Sequence, residues 1–153
     1  MLIFLAMLIG LVAGLRTMTA PAALSWGAYF GWIDISPSVL SFMGSLWAAA
    51  ILTVLAIVEL IADQLPGTPS RKVPVQFGAR VIMGALSGAT VAATAGMVVP
   101  GLLAGVIGAV VGTFGGASGR ANLARHFGRD LPAALIEDAV AILLALIVVV
   151  SVS

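Results

Sequence analysis

Five apolar stretches, at about residues 2 to 32, 38 to 62, 76 to 97, 101 to 119 and 131 to 151, follow one another with only short polar connections between them. Each is near or above the roughly 20 residues that span a bilayer. In hydrocarbon every backbone N–H and C=O must be satisfied within the protein, which leaves helices or a closed barrel. The period-two alternation of barrel strands is absent, so the segments are helical. Only 8% of the residues are charged, against roughly 25% in a soluble domain. The expected fold is therefore an all-α, polytopic membrane helix bundle, a single integral membrane domain over residues 1–153.

Turn signals separate the segments: "DISPS" from Asp34, "DQLPGTPSRKVP" from Asp63, "VVPG" from Val98 and "RHFGRDLP" from Arg125. The opening run has the apolar character of a signal peptide, but no Lys or Arg precedes it and Pro21 stands where cleavage after Ala20 would fall. It is read as part of the bundle. Basic residues gather at two connections, Arg71, Lys72 and Arg80 at the second and Arg120, Arg125 and Arg129 at the fourth, and mark the cytoplasmic side. An alternating topology puts the amino terminus inside and the carboxyl terminus outside. If the first segment is instead two half-helices returning to one face, the amino terminus alone moves outside.

The first segment is too long for one straight span, since about 31 residues at 1.5 Å each would cover roughly 46 Å. Within it, "GLRTMTAP" combines Gly14, Arg16, two threonines and Pro21. Proline removes a backbone donor and disfavours helix at Ala20, while Thr17 and Thr19 can satisfy freed backbone groups. A break between Arg16 and Pro21, near mid-membrane, is expected. An arginine at such depth costs about 2.5 to 3.5 kcal/mol on the insertion scale, which the nine Leu, Ile, Phe and Val residues from Leu2 to Leu15 roughly cancel. Its five N–H donors still need partners. Either a carboxylate such as Glu59 or Glu137 supplies them, or an anionic ligand enters at the break, where half-helix ends expose backbone groups.

Other charges converge on one leaflet. Glu59 and Asp63, four apart, share a helix face at the end of the second segment; Glu137 and Asp138 lie one or two turns into the last; Arg80 and Arg120 end the third and fourth. Intramembrane ionisable groups of this kind either neutralise one another as a structural network or form a gate or proton-coupling site. Small residues form stripes as well: Gly84, Gly88, Ala92 and Gly96 in the third segment, and Gly101, Gly105, Gly108, Gly112, Gly115, Gly116 and Gly119 in the fourth. Such spacing lets helix backbones approach closely, within the chain or between copies, and self-association through Gly84, Gly88, Gly105, Gly108 and Gly112 is expected.

Several chemistries find no support. The chain has no cysteine, which excludes disulfides and thiolate metal sites, and its net charge of +1 lacks the clustered basic excess of a nucleic-acid binder. The single histidine, His126, sits between Arg125 and Arg129, a poor setting for a metal ligand. "GTFGGASGR" lacks the Lys-Ser/Thr step of a phosphate loop. No nucleophile motif accompanies His126 and Asp130, so no enzyme activity, cofactor or metal is expected.

At "GLRTMTAPAALSW", "ELIADQLPGTPSR", "FGARVIMGALSGA" and "AALIEDAVAI" the chain resembles an uncharacterised family of small bacterial integral membrane proteins, catalogued as a domain of unknown function. Its short members carry an Arg-Thr or Arg-Ser step, a Glu-x-x-x-Asp-x-x-Pro step and a Glu-Asp pair. Here these fall on Arg16 and Thr17, on Glu59, Asp63 and Pro66, and on Glu137 and Asp138. The resemblance implies a multi-pass protein of the bacterial inner membrane and brings no activity with it.

The leading expectation is a small transporter or channel subunit for a small solute, an anion among the candidates, with Arg16, Thr17 and Thr19 as the binding site. Glu59, Asp63, Arg80, Arg120, Glu137 and Asp138 would gate it or couple it to protons. The alternative is a structural or accessory membrane protein whose buried charges only fix helix register. An enzyme acting on a lipid-linked substrate ranks third, since it needs a cytoplasmic carboxylate cluster open to lipid.

Overall fold

A computed structural model describes every residue from Met1 to Ser153. It contains six α-helices and no strand: α1 (Leu2–Leu15), α2 (Thr19–Tyr29), α3 (Leu46–Ala62), α4 (Pro74–Ala93), α5 (Val98–Phe127) and α6 (Asp130–Val152), with a short 3₁₀ turn at Ser41–Gly44. The all-helical reading holds, and the first apolar segment is indeed broken. Arg16 takes extended backbone angles, φ −138° and ψ 111°, and helix resumes at Thr19 rather than after Pro21. Pro21 then occupies the first turn of α2, where a missing N–H costs nothing.

Other boundaries move for local reasons. The helix of the second apolar segment, α3, begins at Leu46, not near residue 38, because the Ser45 hydroxyl accepts from the Ala48 N–H at 3.1 Å and caps it there. The helix of the fourth segment, α5, runs on to Phe127, well past residue 119, and stops at Gly128, whose φ of +68° belongs to the left-handed cap that glycine adopts without strain. The fourth turn is thus only Gly128 and Arg129.

Side-chain neighbours fix the directions. α1 lies along α5 in the same sense, with Met7 against Gly108, Leu11 against Gly112 and Leu15 against Gly116. α4 opposes α5, pairing Gly84 with Gly105 and Ala109, and Gly88 and Ala92 with Gly101. α5 and α6 are antiparallel, since both Gly116 and Arg120 approach Glu137 while Arg120 also bonds Asp130. α2 runs with α6: Arg16 stands at Asp138, and eleven residues on, Gly27 packs on Val149, itself eleven beyond Asp138. The chain therefore reverses at Arg16–Met18. Both termini lie at one end of the bundle and both basic connections at the other, which is the second of the two topologies read from the sequence.

Their 14 and 11 residues make α1 and α2 about 21 and 17 Å long, short of a hydrocarbon core of roughly 30 Å. Together they form a hairpin that enters from the terminal end and turns inside the bundle. The turn is level with Arg80 and Asp138, six and eight residues into α4 and α6, or roughly 9 to 12 Å from those helices' basic ends. α4, α5 and α6 are long and apolar enough to cross a membrane, and α3 is a shorter apolar helix. At the end away from the basic connections, Trp26, Tyr29, Phe30 and Trp32 pack ring against ring with centroids 5.4 to 5.7 Å apart. Such amphipathic rings suit a membrane–water interface.

The glycine faces are consumed within the chain. A Cβ at Gly108 would overlap the Met7 carbonyl oxygen, one at Gly112 that of Leu11, and one at Gly88 that of Gly101. Gly84 and Gly105 likewise meet each other's backbones. Gly84, Gly88, Gly105, Gly108 and Gly112 join α1, α4 and α5 of one chain, because the missing side chain on one side of each contact lets the backbones approach this closely. Gly115 and Gly119 alone among the α5 glycines face open space.

Candidate functional site

The turn at Arg16–Met18 leaves backbone groups without helical partners, and charged side chains from other helices take them up. Glu59 on α3 accepts from the Thr17 and Met18 N–H groups at 2.7 and 2.8 Å, one with each carboxylate oxygen. Arg80 on α4 donates through Nη1 to the carbonyls of Gly14 and Leu15, both at 3.0 Å. An anion thus holds the positive start of α2 and a cation the negative end of α1, the arrangement that helix dipoles favour. The capping expected of Thr17 and Thr19 falls to Glu59 and Arg80 instead. Thr17 contributes its backbone N–H, and the Thr19 hydroxyl is buried without a partner.

Arg16 itself is fully buried. Its Nε donates to Asp138 Oδ1 at 2.5 Å, Nη2 pairs with the same carboxylate and lies 3.7 Å from Glu137 Oε2, and Nη1 pairs with Asp63. Of the two satisfiers read from the sequence, the internal acidic one is present. The partners are Asp138 and Asp63, with Glu137 behind them, while Glu59 is occupied at the backbone.

A second layer lies toward the basic end. Arg71 grips Glu137 through both Nη atoms, at 2.5 and 2.9 Å. Arg120 forks onto Asp130 at 3.0 and 2.6 Å, reaches Glu137 at 3.5 Å, and donates to the Asp63 carbonyl at 3.0 Å. Gln64 adds a bond to Asp138 at 3.3 Å. The structure thus brings together Arg16, Glu59, Asp63, Arg80, Arg120, Glu137 and Asp138, whereas the sequence reading set Arg16 apart at the break, near mid-membrane.

Arg71, Asp130 and Gln64 belong to the same cluster and were missed. Arg71 reads as a topology marker beside Lys72, and Asp130 as a polar turn residue; only the return of the α3–α4 loop over the bundle and the antiparallel packing of α6 on α5 reveal their roles. His126 remains exposed, its ring edge-on to Phe127. No three His, Asp or Glu side chains are grouped to hold a metal ion. With five carboxylates against four guanidiniums, the cluster carries one formal negative charge in excess.

Two cavities flank the Thr68–Pro69 strip of the α3–α4 loop. One, of about 450 Å³, reaches Thr17, Met18, Glu59 and Gln76; the other, of about 280 Å³, lies among Arg71, Arg80, Arg120 and Ser70. Asp63 borders both.

An all-helical membrane protein built around an internal, charge-capped helical turn is the class that this fold and site define. Residues 3–152 match the family model described as Domain of unknown function (DUF4126), and the chain belongs to that family. No curated protein and no solved structure matches it.

Proposed function

We propose that this protein is a small membrane transporter or channel subunit, seated with its basic end in the cytoplasm of a bacterial cell, in which a small polar solute passes the turn at Arg16–Met18. The observation that carries this reading is the turn's construction. Its backbone ends are held by Glu59 and Arg80 from two other helices, beside a cavity of about 450 Å³ that reaches Thr17 and Met18. Interrupted helices near the middle of a membrane are tolerated where they line a cavity, and transporters place substrate sites there. Buried charges at such a place are functional by default because they are costly to insert.

An anion would contact Arg16 only by displacing Asp63 and Asp138, so in this reading Arg16 holds the turn in place. Solute contact falls to Thr17, Met18 and Glu59 at the cavity wall. The other charged pairs, Arg71 with Glu137 and Arg120 with Asp130, close the basic end and serve as its gate.

The chain has no cysteine, so a Met18→Cys variant has a silent background. Reaction with a membrane-impermeant thiol reagent applied at the basic side of sealed vesicles is expected. A folded variant that labels from neither side would overturn the transport reading. It would favour instead an accessory protein whose charges fix helix register, the reading that the complete enclosure of Arg16 supports.

A further inference from the structure

The smaller cavity holds more hydrogen-bond donors than the protein uses. Arg80, only 2% exposed, commits Nη1 to the Gly14 and Leu15 carbonyls. Its Nη2 has no acidic oxygen closer than Glu59 Oε1 at 3.9 Å, and its Nε has no partner at all. Leaving a buried guanidinium partly unbonded is costly. Around it, Arg71 spends both Nη atoms on Glu137, which leaves Nε, and Arg120 spends Nε and Nη2 on Asp130, which leaves Nη1 with a 3.5 Å contact. The Ser70 oxygen accepts from the Lys72 N–H at 3.3 Å and its own hydrogen is uncommitted. Asp63 is the one carboxylate on the wall, and its Oδ2 is engaged by Arg16.

Donors converge here from α4, α5 and the α3–α4 loop. Guanidinium donors that surround a pocket from several sides match a group with several acceptor oxygens, above all a phosphate. Basic pockets between membrane helices at the cytoplasmic side are also where lipid headgroups are held. The excess carboxylate in the surrounding cluster penalises a second negative charge, so the fit is best for a singly charged phosphate.

We propose that the cavity among Arg71, Arg80, Arg120 and Ser70 is a phosphate-group binding site, filled by a lipid headgroup or by free phosphate. The proposal goes beyond transport and does not depend on it. Binding also has a structural consequence, because the ligand would tie the α3–α4 loop, through Ser70 and Arg71, to the residue that caps α1.

Isothermal titration of delipidated protein in neutral detergent, with inorganic phosphate in one arm and a soluble short-chain phosphatidylglycerol in the other, tests this. Saturable binding at one equivalent is expected, weakened about tenfold or more in Ala117→Phe, which fills the cavity without removing a charge. Ser70→Trp, in the exposed loop, blocks the same space from the other side and guards against a misfolded helix variant. Binding of the lipid alone identifies the headgroup as the source; binding of phosphate alone identifies the free ion; mutual competition shows that the phosphate group itself is recognised. No saturable binding in either arm, or equal binding in wild type and both variants, would overturn the site. Flux plays no part in the readout, so its failure leaves the transport reading standing.

Discussion

Arg16 and Asp138, 122 residues apart in sequence, meet at the internal turn, Nε to Oδ1 at 2.5 Å with the guanidinium fully buried. A buried pair of this kind is revealed by removing one partner, since the other is left charged without compensation. Arg16→Gln is expected to destabilise the protein by about 3 to 5 kcal/mol. Asp138→Asn should also destabilise, and the double variant should lose clearly less than the two single losses together. Thermal unfolding of the three proteins in detergent measures the coupling. Additive losses would mean that the two side chains do not act as a pair.

Glu59 gives the turn a second measurable property. Its carboxylate takes the Thr17 and Met18 N–H groups, so Glu59→Ala leaves both donors unbonded at a cost on the order of 1 to 3 kcal/mol. Hydrogen exchange at those two amides should accelerate well beyond that of α5 amides in the same sample. Glu59→Gln, which keeps one acceptor oxygen, should fall between wild type and alanine. Unchanged protection in Glu59→Ala would show that the start of α2 is held by something else.

Gly108 and Gly115 make a matched comparison on one helix. A Cβ at Gly108 would collide with the Met7 carbonyl, whereas one at Gly115 meets open space. Gly108→Ala is therefore expected to force α1 from α5 and lose about 1 to 3 kcal/mol, typical of overpacking. Gly115→Ala should be neutral or gain up to about 1 kcal/mol from helix propensity. Equal effects at the two positions would contradict the packing of α1 on α5.

The reversal at Arg16–Met18 places both termini at the end opposite the basic connections. Compartment-sensitive reporters fused to the amino and carboxyl termini should therefore report the same side of the membrane, and a reporter inserted at Gly67 in the α3–α4 loop the other. Termini reporting opposite sides would mean that α1 and α2 continue in one direction.

What the sequence determined by itself is local or compositional. Apolar runs separated by short polar turns impose helices, because backbone groups in hydrocarbon have no other partners. The Arg-Thr-Met-Thr-Ala-Pro stretch imposes the interruption of the first run, and the glycine spacing defines faces fit for close packing. The grouping of carboxylates and arginines at one level was legible too, since it follows from where each charge falls along its own helix.

Only the tertiary structure decided the rest. A break does not state its angle, so whether the chain continues or folds back depended on α1 settling along α5 and α2 along α6. A glycine face does not name its partner, and here Gly84, Gly88, Gly105, Gly108 and Gly112 pack among α1, α4 and α5 of the same chain. Nor does a carboxylate's depth name its arginine. Asp138 took Arg16 and Glu137 took Arg71, while Glu59 bound backbone instead, because those assignments rest on contacts between helices far apart in sequence.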